Sequence, residues 1–98
     1  MAKAASSFSI QNGRPQEGAT LVIDVRKAIP SPENGYSSNS KAKRAYIVRM
    51  GRVLLAEAEK HLATTPGGHV AFGCRLGQDR SPTMAAELNR RMAERGNA

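Results

Sequence analysis

Apolar and polar positions change period several times along this chain, and each change marks an element. Ser7-Phe8-Ser9-Ile10 alternates polar and apolar, the period of a half-buried strand. Gln11-Asn12-Gly13-Arg14-Pro15 is turn chemistry. In Thr20-Leu21-Val22-Ile23-Asp24-Val25-Arg26 four of seven residues are apolar, most of them β-branched, which predicts a buried strand ending at a charged tip. The period then lengthens to that of a helix. Ile47, Met50, Gly51, Leu54, Ala58 and Leu62 fall on one face at i, i+3, i+4 spacing, predicting one long helix from Lys41 to Ala63. Lys41, Arg49, Arg52 and Lys60 gather on its opposite face. Thr64-Thr65-Pro66-Gly67-Gly68 stops it, and His69 to Gly73 is the next strand. Ser81 fits the N-cap of a last helix, Pro82 its first position, and Thr83 to Arg95 its body.

The predicted order is strand, strand, helix, strand, helix. It implies an α/β fold with a small three-stranded mixed sheet, a βαβ crossover and two main helices, in one domain over residues 7–96 behind a flexible tail at 1–6. Residues 27–40 hold two prolines, four serines and Asn34-Gly35, and read as a loop. Parallel sheets bind ligands beyond the carboxyl ends of their strands. Asp24-Val25-Arg26 and the run from Cys74 to Arg80 both lie at such ends, so they are expected to face one pocket.

Composition narrows the class. With 98 residues, 40% hydrophobic and 4% aromatic, the chain has room for one modest aliphatic core, which self-association would help. It has no apolar run near the ~20 residues of a membrane span. The first seven residues lack the apolar stretch of a secretory signal. A single cysteine fits a reducing compartment, the cytoplasm. That cysteine with His61 and His69 makes a poor ligand set, so no metal is expected. The net charge of +7 and pI of 10.3 favour anionic partners, a phosphorylated small molecule or RNA. Lys41, Lys43 and Arg44 lie at a helix N-terminus, where they oppose the macrodipole, and with Arg49 and Arg52 they are the candidate RNA-binding residues. Only Tyr36 and Tyr46 stand near them for base stacking.

The chemistry concentrates in Cys74-Arg75-Leu76-Gly77-Gln78-Asp79-Arg80-Ser81-Pro82. A loop between a strand and a helix can turn its backbone N–H groups inward. The helix N-terminus adds partial positive charge, and Arg80 offers a planar fork of donors. Two classes of protein use such a loop. In one, cysteine-dependent phosphatases with Cys-x5-Arg-Ser, Cys74 would attack phosphorus, Arg80 would bind the equatorial oxygens and Ser81 would assist the departing thiolate. The other only binds. No aspartate occurs between Asp24 and Cys74 to act as the leaving-group acid, Gly73 stands where those phosphatases have histidine, and Asp79 puts a carboxylate beside the cradle. A Walker A loop is excluded because no lysine follows at the required spacing. The expectation is a binding module, with catalysis the alternative and a basic adapter without small ligand a third reading. Its ligand residues would be Asp24, Arg26, Cys74, Arg75, Leu76, Gly77, Gln78, Asp79, Arg80 and Ser81. Asp24 would orient one of the arginines, and no cofactor is needed.

Three segments together resemble the C-terminal domain of the RapZ family, the bacterial RNase adapter proteins. Ser7 through Pro15 is similar to that family's Ser-Phe-Gly-x-x-x-Gly-x-Pro opening. Leu21-Val22-Ile23-Asp24-Val25-Arg26 is similar to its Asp-Val-Arg strand, and Val70 to Ser81 to its Ile-Gly-Cys-x-x-Gly-x-x-Arg-Ser loop. The resemblance covers residues 7–95. It implies a stand-alone copy of a domain that binds a phosphorylated amino sugar and small RNA and oligomerises. Carried over by position, Arg26, Cys74, Gly77, Arg80 and Ser81 belong to the anion pocket. The chain departs from the family at Arg75 and Leu76, where small residues are usual. It also has Asp79 and Glu33 where the family has histidines.

Overall fold

A computed structural model describes residues 4–30 and 41–96. Glu33, Tyr36 and the rest of the 31–40 loop lie outside the described residues. The elements run β1 (Ala5–Ser9), β2 (Leu21–Asp24), α1 (Lys41–Met50), α2 (Arg52–Thr64), β3 (Val70–Cys74) and α3 (Arg80–Gly96). The fold is α/β, as the change of period predicts.

The sheet has the order β1-β3-β2. It is parallel throughout, not mixed: Ala5 and Leu21 both pair with Val70, Ser9 pairs with Cys74, and Asp24 with Gly73. The turn chemistry at Gln11–Pro15 therefore does not reverse the chain into a hairpin. Residues 10–20 instead carry it from the carboxyl end of β1 to the amino end of β2, past the central strand. Right-handed connections put this segment on the sheet face opposite the β2-to-β3 helices. Ile10 accordingly lies against Gly73 on that face. The first strand also begins earlier than predicted. Ala5 and Ser6, expected in the tail, are part of β1, and Ala5 is buried.

Side chains alternate across the strands. Ala5, Ile23, Val25, Val70, Phe72 and Cys74 meet Ile29, Ile47, Leu55, Ala58, Met84, Ala85 and Leu88 in one core between the sheet and the helices. β3 is buried along its whole length, as the middle strand of a parallel sheet should be. At the outer edge of β1, the Asn89 amide donates to the Ala5 carbonyl at 3.0 Å and accepts from the Ala5 N–H at 2.9 Å. It fills the place a fourth strand would take, and so blunts the edge.

The single long helix of the sequence reading is two. Gly51 separates α1 from α2, with φ −92° and ψ 10°. The hydrogen-bond ladder persists across it, from Gly51 to Ile47 and from Leu55 to Gly51, both at 2.9 Å. The reason for glycine here is a close approach. A Cβ would stand 2.6 Å from Met84 Sδ and 2.9 Å from Ile29 Cδ1, both on fully buried side chains. The break also shifts the packed face: Leu55 is buried and Met50 is exposed, the reverse of the unbroken period. Among the described residues no helix is long and apolar enough to cross a membrane.

Candidate functional site

The loop from Cys74 to Ser81 closes over the carboxyl end of β3, between the end of β1 and the start of α3. Two features of sequence shape it. Gly77 has φ +68°, a left-handed conformation that glycine adopts without strain. Its Cα also lies against β1, where a Cβ would meet Ser9 N at 2.9 Å and Phe8 C at 3.0 Å. The loop's first carbonyl, that of Arg75, is fixed by the same strand end: it accepts from Ser9 Oγ at 2.9 Å and Gln11 N at 3.2 Å. Gly73 is likewise a packing requirement. A Cβ there would stand 2.5 Å from Phe8 Cζ and 2.9 Å from Ile10 Cγ1, so a histidine before the cysteine would push both side chains aside.

This geometry gathers donors around one sulfur. Cys74 is 3% exposed. Its Sγ lies 3.1 Å from Ser81 Oγ and 3.5 Å from Ser81 N. Burial alone pushes the thiol pKa up. The Ser81 hydroxyl, the Ser81 and Gly77 amides and the Arg80 charge outweigh it, and the thiol ends below its ordinary value. Ser81 Oγ also faces the Phe8 carbonyl at 3.5 Å. A hydroxyl has one proton to donate. With Cys74 a thiol, S–H can donate to Ser81 Oγ and O–H to Phe8 O. With a thiolate, the O–H turns to sulfur.

Ser81 is therefore not the N-cap. The helix starts at Arg80, two residues earlier than expected, and Thr83 N donates to the Asp79 carbonyl at 3.2 Å, which puts Asp79 at the cap position. The acceptor for the Ser81 amide is Cys74 Sγ. The Asp79 carboxylate instead meets Lys43 Nζ, in the first turn of α1, at 2.9 Å. Lys43 is mostly buried, with its side chain 12% exposed, so it is a neighbour of the loop and not part of a solvated basic face. Arg80 Nη1 donates to the Ile29 carbonyl at 3.0 Å. That bond orients the guanidinium from the chain just beyond β2 and uses one of its five donors.

No family model matches this chain, and no curated protein or solved structure does either. The site is consequently read from its own geometry.

The remaining predicted residues divide. Asp24 orients an arginine, and it is Arg26: the carboxylate takes Arg26 Nε at 2.9 Å and Nη2 at 2.6 Å. This pair lies exposed at the end of β2, one strand over from Cys74. The guanidinium holds the Asp24 carboxyl below the usual carboxylate range. Arg75 points away from the sulfur, with Nε on Gln11 Oε1 at 3.2 Å. Leu76 and Gln78 are exposed at the rim. Lys41, Arg44, Arg49 and Arg52 are exposed on α1 and the start of α2.

The sequence reading missed Lys43 as a partner of the loop, the Ile29 carbonyl and the Phe8 carbonyl. A signal for Lys43 was present, because the first turn of a crossover helix starts at the same end of the sheet as the loop. His61 and His69 sit at the opposite end. His61 Nε2 lies 2.7 Å from Thr20 Oγ1, and His69 Nε2 2.7 Å from Ser6 Oγ. A groove of about 950 Å³ runs along the outer edge of β1, past Ser6, Ser7, Ala85 and Asn89, and includes none of the predicted ligand residues.

Proposed function

We propose that this chain is a non-catalytic binding module whose Cys74–Ser81 loop holds a phosphorylated small molecule. One observation carries the reading: the hydroxyl and backbone amide of Ser81 converge on a buried sulfur at the N-terminus of a 17-residue helix, with the Arg80 charge beside them. A site that lowers a thiol's pKa under burial is one that favours negative charge. The same field, extended to the loop rim, suits a phosphate. The likeness of three segments to the RapZ C-terminal family points the same way, toward a phosphosugar-type ligand.

Hydrolysis through a Cys74 phosphoenzyme is the second reading, favoured by the lowered thiol. It is the weaker one, because both aspartates of the region are engaged. Asp24 is locked to Arg26 and Asp79 to Lys43, which leaves neither placed to protonate a leaving group. The test is a thermal-shift titration with phenyl phosphate, run beside an assay for released phenol. Binding predicts a midpoint that rises with ligand, no turnover, and loss of the shift in Arg80→Ala. Phenol release that disappears in Cys74→Ser would overturn binding in favour of catalysis.

A further inference from the structure

The outer edge of β1 has one open position, and it lies in the groove that the Cys74 loop does not use. Even-numbered residues of this segment bond inward to β3: the Ala4 carbonyl accepts from Val70 N, and Ile10 N donates to the Cys74 carbonyl, both at 2.9 Å. Odd-numbered residues therefore turn their N–H and carbonyl outward. Ala5 is closed by the Asn89 side-chain amide, which makes both bonds that a neighbouring strand's peptide groups would make. Ser9 is closed as well. Its carbonyl accepts from Gly13 N at 2.8 Å, and its N lies against Gly77, where a Cβ would stand 2.9 Å away. Ser7 is between them and exposed, and no described residue bonds its outward N–H or carbonyl.

The groove of about 950 Å³ opens at this point. Its α3 wall is Pro82, Ala85 and Ala86, side chains too short to cover the edge. Among the described residues that line it, Glu17 carries the one formal charge with His69 neutral, in a chain of net charge +7. The groove thus complements a cation. We propose that it takes an extended, basic peptide segment of a partner protein, which adds to β1 at Ser7 and sets a lysine or arginine against Glu17. In strand addition, main-chain bonds supply affinity and side-chain complementarity supplies choice. Asn89 already demonstrates that this edge pairs with an amide. The site is separate from the anion-binding loop, and neither reading depends on the other.

The probe is a random-peptide phage library selected on the wild type and counter-selected on Ala86→Leu, which fills the groove from an exposed helix position. The selected peptide is labelled and titrated by fluorescence anisotropy, with circular dichroism checking each fold. Ser7→Ala keeps the backbone donor and should bind as the wild type does. Ser7→Pro removes the outward N–H, a change that edge strands tolerate, and should weaken binding about tenfold or more. Should Ser7→Pro not fold, N-methylation along the peptide asks the same question, and at least one methyl should cost as much. Glu17→Gln should weaken binding about two- to fivefold. No enrichment on the wild type over Ala86→Leu overturns the site. A peptide indifferent to Ser7→Pro or to every N-methylation overturns strand addition, and one indifferent to Glu17→Gln overturns the basic class. A wild-type dimer that Ala86→Leu converts to monomer gives the edge to a second copy and overturns the partner.

Discussion

Gly77→Ala separates two demands that the loop makes on one residue, and Gly67→Ala provides the matched control. The two glycines have nearly the same backbone, φ +68° at Gly77 and φ +70° at Gly67. At Gly67 a Cβ would meet nothing within 4 Å. At Gly77 it would stand 2.9 Å from Ser9 N and 3.0 Å from Phe8 C, both backbone atoms of the β1 end. The left-handed conformation costs an alanine about 1–2 kcal/mol. Stiffening the unfolded chain returns about 0.4–1 kcal/mol. Gly67→Ala should therefore lose between nothing and about 1.6 kcal/mol. Gly77→Ala carries the same balance plus an overpacking cost of about 1–3 kcal/mol, because main chain paired to β3 has little freedom to retreat. Urea unfolding followed by circular dichroism reads the difference. With a slope of about 1 kcal/mol per molar urea for a domain of this size, the two midpoints should differ by about 1–3 M. The single cysteine adds an independent readout. Moving the loop that carries Gly77, one of the groups that lower the Cys74 pKa, should raise the pH midpoint of iodoacetamide alkylation, while Gly67→Ala leaves it in place. Equal midpoints in urea for the two variants would refute the close approach.

Ser81→Ala removes the strongest of the interactions that lower the Cys74 pKa, so the alkylation midpoint should rise. The folded thiol lies below the ordinary 9.0, so its contribution to stability is full above that pH and is lost as pH falls through the folded value. Wild-type stability should therefore climb with pH over that window, and Ser81→Ala should flatten the climb. A parallel rise in both proteins would count against the assignment. Gly51→Ala would gain about 1 kcal/mol as an exposed helix position. Here the contacts with Met84 and Ile29 should reverse the sign, to a net loss of about 1–2 kcal/mol by urea unfolding, and a gain would refute the packing account.

What the sequence revealed, and what it hid, follows from the range of the interactions. The elements were legible because periodicity is local: β2, β3 and the last helix begin and end within a few residues of expectation. The Cys-x5-Arg loop was legible for the same reason, since its glycine, its arginine and the helix behind it are contiguous. The direction of β1 was not. A mixed sheet was expected, and only pairing with a strand some 60 residues away fixes the parallel register of β1. Gly51 looked like one more apolar position because a period has no record of Met84. Lys43 was grouped with the basic face for the same reason. Its partner is 36 positions distant, and charge patterning on a helix cannot distinguish a solvated lysine from one turned toward a loop.

The start of α3 connects these separate facts. An aspartate at an N-cap ordinarily returns its carboxylate to the amide two or three residues on. After Asp79 those positions are Ser81 and Pro82. Proline has no N–H, and the Ser81 amide is directed to Cys74 Sγ. The carboxylate is thereby released from capping, and Lys43 takes it. The helix keeps a capping acceptor, but it is the cysteine sulfur, brought there by the strand that precedes the loop. One proline thus has two consequences. It leaves the Ser81 amide to the sulfur, and it places a negative charge at the rim with a cation from α1 to hold it. A loop with an amide at position 82 would let Asp79 cap its own helix and give up Lys43. The Lys43–Asp79 ion pair thus depends on how the helix begins as much as on the two charges themselves.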